Sequence, residues 1–70
     1  MHRVPVKSSN IRSIGYDSAT STLEVEFNDL SIYSYSEVPL PLHTSLMQAT
    51  SKGAFLAKHI KDKFVFERIK

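Results

Sequence analysis

Residues 22–27, TLEVEF, alternate without exception: Leu23, Val25 and Phe27 fall on one side, Glu24 and Glu26 on the other. A period of two is the signature of a strand with one buried and one wet face. Asn28 and Asp29 favour a turn, and SIYSYS at 31–36 is a second strand-like run, so residues 22–36 are predicted to form a β-hairpin. This hairpin constrains the rest of the chain, because its apolar face needs a cover.

The hairpin's register decides what Tyr33 and Tyr35 do, since a slip of one residue moves every side chain to the other face. A two-residue loop at Asn28-Asp29 pairs Phe27 with Leu30 and puts both tyrosines on the solvent face with Glu24 and Glu26. A three-residue loop, with Leu30 in the left-handed bulge position, pairs Phe27 with Ser31 and Val25 with Tyr33. The tyrosines then join Leu23, Val25 and Phe27, their hydroxyls reaching a wet edge. Only Ile32 is out of place in the second register, and pattern consistency favours it. Its defect is that the left-handed position prefers Gly or Asn to Leu.

Around the hairpin, Ile11 to Tyr16 reads as a strand followed by the turn-rich GYDSATST. Val4 and Val6 alternate in a way that suits an edge strand, so residues 1–7 are either that or flexible. After Val38-Pro39-Leu40-Pro41 the period becomes helical. Pro41 to Ala49 forms a short helix with Leu42, Leu46 and Ala49 on one side. Thr50 or Ser51 caps a second helix, whose apolar side is Phe55, Leu56 and Ile60. FVFERI resumes alternation as a last strand. The expected architecture is α+β: a small antiparallel sheet, hairpin-centred, of three to four strands, with two short helices packed on one face.

Size limits function. Seventy residues make one domain at most, which buries only about 60% of its unfolded surface. A deep catalytic cleft is hard to build at this size. The 41% hydrophobic and 23% charged residues are those of a soluble globular domain. There is no cysteine, which excludes disulfides and thiolate metal sites. His2, His43 and His59 lack ligand spacing, so no metal and no cofactor are expected. No nucleophile elbow is present, and Glu24 and Glu26 read as a solvated sheet face. A non-enzymatic protein is expected. No apolar run approaches a membrane span or a signal peptide, so the default is a cytoplasmic monomer without a membrane partner.

Charge is uneven. Residues 1–50 carry three basic and five acidic side chains, whereas residues 51–70 carry six basic against Asp62 and Glu67. A basic C-terminal region raises affinity for phosphates, though lysine-rich faces also serve solubility. Candidate nucleic-acid contacts are Lys52, Lys58, Lys61, Lys63 and Arg68, with Tyr33 or Tyr35 as a stacking surface. In TSKGAF, Ser51, Lys52 and Gly53 form a candidate anion site at a helix N-terminus. The competing structural reading is that Ser51 caps the helix and Gly53 allows close packing.

The order and spacing of several short motifs extend this reading. They are S-S-x-I at Ser8, Ser9 and Ile11, G-Y-D at Gly15, Tyr16 and Asp17, L-x-V-x-F from Leu23 to Phe27, and Y-x-Y at Tyr33 and Tyr35. V-P at Val38 and Pro39, A-x-S-x-G at Ala49, Ser51 and Gly53, and Ile60 follow. Together they resemble the KTSC domain family, a module of about this length found alone in bacterial and phage proteins and at the C-terminus of some lysyl-tRNA synthetases. The resemblance runs from Ser8 to Phe64 and departs from the family at Leu30, where a Gly is usual after the hairpin turn. It implies a single KTSC-like domain over residues 1–70 and, through the synthetase association, a candidate RNA-binding function. The alternative is a protein-interaction adaptor, phage-encoded, that docks its hairpin edge or exposed aliphatics such as Ile32 on a host protein.

Overall fold

The computed structural model describes residues 2–70. Met1, part of the segment whose order the sequence leaves open, lies outside the described residues. The order of elements is β1 (Arg3–Pro5), β2 (Ile11–Asp17), β3 (Thr22–Phe27), β4 (Ile32–Tyr35), α1 (Leu40–Gln48), α2 (Lys52–His59) and β5 (Phe66–Arg68). The strands form one antiparallel sheet in the order β1-β2-β3-β4-β5, so both helices are inserted between β4 and its edge neighbour β5. The sheet has five strands rather than three or four. The extra strand, β1, is the edge strand suggested by Val4 and Val6.

The hairpin adopts the three-residue loop. Val25 pairs with Tyr33 and Leu23 with Tyr35, and the Phe27 amide donates to the Ser31 carbonyl at 2.9 Å. Leu30 takes a left-handed conformation, φ 73°. The surroundings hold it there: Asp29 Oδ1 accepts from the Ser31 amide (3.0 Å) and hydroxyl (2.6 Å), and the Asn28 amide donates to the Asn10 carbonyl at the foot of β2. A conformation over-determined on both sides tolerates a residue that disfavours it.

Cross-strand pairing puts Ile14, Tyr16, Leu23, Val25, Tyr33 and Tyr35 on one face. Both helices cover that face through Leu46, Leu56 and Ile60, which join Ile11, Ile14, Leu23, Val25, Tyr35 and Val38 in one core. The opposite face carries Glu24, Glu26 and Ser34 and remains polar, with Arg3 paired to Glu24. Ile32, on this polar side, is nevertheless buried. Its backbone is bonded to Ile69 and Lys70, so it is withdrawn as an exposed docking residue. The hairpin edge is withdrawn too, because β2 covers one side and β5 the other.

Helix α1 starts after Pro39, with Pro41 in the first turn, where a missing N–H costs nothing. Helix α2 is capped by Ser51, whose side chain accepts from the Ala54 amide, and ends with Lys58 and His59 near its negative pole. Stacking of His43 on Tyr16, centroids 4.6 Å apart and planes 8° from parallel, joins α1 to β2. The Tyr16 hydroxyl donates to the Val38 carbonyl just before that helix.

Candidate functional site

Strands β3, β4 and β5 bring four aromatic rings together where the helical cover ends. Phe27 meets Tyr33 edge-on, with centroids 5.6 Å apart, and Phe66 lies 5.7 Å from Tyr33 and 5.8 Å from Tyr35. These rings floor a groove of about 560 Å³. The turn after α2 supplies Lys61 and Asp62 to its rim, while the start of β2 and the hairpin turn supply Asn10, Asn28 and Asp29. Antiparallel pairing of Tyr35 with Phe66 and of Tyr33 with Arg68 fixes this juxtaposition.

The rings differ in what they offer. Tyr35 is only 3% exposed, which rules it out as a stacking surface and makes it the groove's floor. Burial, then the neighbouring Tyr33 and Asp62, pushes its hydroxyl pKa up. Tyr33 is half-buried, and the Arg68 guanidinium lies 6.0 Å from its ring centroid, within cation–π range. Phe66 is 51% exposed and presents the most open ring of the groove. The sequence reading placed Phe66 on a strand but not in the site. Its pairing opposite Tyr35 was the hidden signal, because β5 reaches β4 only after the two helices.

The basic residues are divided. Lys61 lines the groove and Arg68 flanks it. Lys58 and Lys63 are exposed and take no part in the lining. Lys52 Nζ donates to the Ala49 carbonyl at 3.1 Å, at the end of α1. The structural reading accounts for the whole Ser51-Lys52-Gly53 segment: Ser51 caps α2, Lys52 satisfies a helix-end carbonyl, and a Cβ at Gly53 would overlap Asn10 Oδ1. Carboxylates also face the groove, so its local charge is mixed rather than basic. The turn's Ser31, followed by Arg68, holds Asp29 below the usual carboxylate range.

A second, more polar pocket of about 430 Å³ lies on the helix-free face among Arg3, Arg12, Ser13 and Glu26. Its charges are already matched, Arg3 to Glu24 and Arg12 to Glu26 at 3.9 Å. Among the described residues, no group of three or more His, Cys, Asp or Glu is placed to hold a metal, and no helix is long and apolar enough to cross a membrane.

Comparison with known proteins places this geometry in a family. The KTSC domain model matches residues 7–64. A crystal structure of a KTSC domain protein from Yersinia pestis superposes with a TM-score of 0.95 at 43% identity, covering 99% of this chain and 97% of that one. An uncharacterised protein of Stutzerimonas stutzeri is 43% identical over 53 residues, 76% of this chain and 75% of its own length. A lysine–tRNA ligase of Trichormus variabilis is 41% identical over 63 residues, 90% of this chain. The chain spans only 11% of that ligase's length. With the motifs from Ser8 to Ile60 in place on this fold, the chain belongs to the KTSC domain family.

Proposed function

We propose that the chain is a non-enzymatic binding module for single-stranded RNA, with the aromatic groove as its binding surface. The observation that carries this reading is the half-exposed Phe66 ring beside Tyr33, with Lys61 on the rim and Arg68 alongside. Unpaired bases stack on such rings while cations hold the adjoining phosphates. A relative whose substrate is a tRNA supports an RNA ligand over other flat aromatic molecules.

Fluorescence polarisation with a short single-stranded RNA at low salt tests the reading. Phe66→Ala should weaken binding by about 1–3 kcal/mol, the usual value of one stacked base. The exposed position leaves the core untouched, so the variant should fold. Equal affinity of the variant and the original protein, or no binding by either, contradicts the proposal.

A second reading, a protein-interaction adaptor, is favoured by exposed Val65 and Ile69 flanking the edge strand β5. Apolar docking barely responds to salt, whereas phosphate contacts weaken as salt rises.

A further inference from the structure

We propose that the groove selects guanine among unpaired RNA bases, with Asp62 as the carboxylate that reads it; this rests on the RNA reading above and extends it to base identity. Stacking on Phe66 and Tyr33 cannot discriminate, because every base has a π face. Selection falls to the polar rim, and the rim is rich in acceptors. Asp62 lies on it and enters neither ion pair formed among the described residues. Asp29 commits Oδ1 to both Ser31 bonds and keeps Oδ2 as a further acceptor. Asn28 spends its amide nitrogen on the Ser9 carbonyl, which leaves its side-chain oxygen to accept. Donors share the lining: the Lys61 ammonium, the Ser9, Tyr33 and Tyr35 hydroxyls, and the Asn10 amide nitrogen, whose partner oxygen takes the Ser8 hydroxyl.

Guanine complements this inventory. Its N1–H and N2 amino group are adjacent donors from which one carboxylate can accept in parallel, and its O6 is an acceptor suited to the Asn10 amide nitrogen, which leaves Lys61 to the phosphate. Uracil sets a single N–H between two carbonyls, so a facing carboxylate meets lone pairs on either side. Adenine and cytosine each place one amino donor beside a ring acceptor, which a carboxylate also opposes. Unpaired acceptors facing one another act against the wrong base as effectively as new bonds favour the right one.

The test is a calorimetric titration of the full chain and of Asp62→Asn with the pentanucleotides UUGUU, UUAUU, UUCUU and UUUUU. UUGUU should bind the original protein roughly tenfold more tightly than UUUUU, the discrimination expected of one bidentate base contact. Asp62→Asn, at an exposed position, should bring that ratio close to one from both sides, weakening UUGUU by loss of the paired acceptors and strengthening UUUUU by relief of the carboxylate's opposition to uracil. A ratio near one in the original protein, or a preference that survives in Asp62→Asn, overturns the guanine inference and leaves RNA binding intact. Failure of all four oligonucleotides to bind overturns both.

Discussion

Leu30 carries the hairpin through a left-handed backbone, φ 73°, with its side chain exposed. A side chain in that region costs about 1–2 kcal/mol, and an exposed Leu recovers little of it by packing. Glycine removes the strain but brings roughly 0.5–1 kcal/mol of extra unfolded-state entropy. Leu30→Gly should therefore stabilise the fold by up to about 1.5 kcal/mol. A higher urea midpoint at unchanged slope is the expected result; a lower midpoint would show that the Leu side chain contributes more than its exposure suggests. The turn was legible in the sequence because polar segregation across Glu24, Glu26, Ser34 and Ser36 outweighed the poor fit of Leu30. The burial of Ile32 was not, since it depends on Ile69 and Lys70 bonding back from the far end of the chain. Phe66 eluded local reading for the same reason: its partners, Tyr33 and Tyr35, are about thirty positions away in sequence.

At the scale of elements, the long alternating strands and the capped helix were readable from their own residues. The edge strands were not equally so: β1 and β5 have three residues each, too few for a period, and exist by pairing with β2 and β4. The attachment of α1 leads to a prediction about pH. His43 stacks on Tyr16 in a half-buried position, and burial pulls its pKa below the usual imidazole value. The fold favours the neutral ring, so the unfolded chain takes up a proton first as pH falls below about 6.5. The stability contributed by His43 is thus present above that value and is lost as pH drops through the lower folded one. His43→Phe keeps a ring against Tyr16 and removes the titration. The gap in melting temperature between variant and original protein should widen in the variant's favour from pH 7.5 to pH 5.5; a constant gap contradicts the account.

For the whole molecule, the basic character of the last twenty residues suggested one phosphate-facing surface, but folding distributes those charges. Lys61 and Arg68 reach the groove, Lys52 is turned to the end of α1, and Asp29 and Asp62 face the same space. Composition cannot show this, because charge counts carry no direction. On the RNA-binding proposal the groove acts mainly by stacking, with a small electrostatic share that salt measures. Each phosphate neutralised on a single strand contributes about −0.7 to the slope of log K against log salt, so two cations give about −1.4 and all five candidates about −3.5.

The decisive measurement is that slope for a short single-stranded RNA, recorded for the original protein and for Phe66→Ala. The account predicts a slope near −1.4 in both proteins, with the variant weaker by a similar factor at every salt concentration. A slope near −3.5 that is indifferent to Phe66 would mean that dispersed lysines, and not the aromatic groove, hold the nucleic acid.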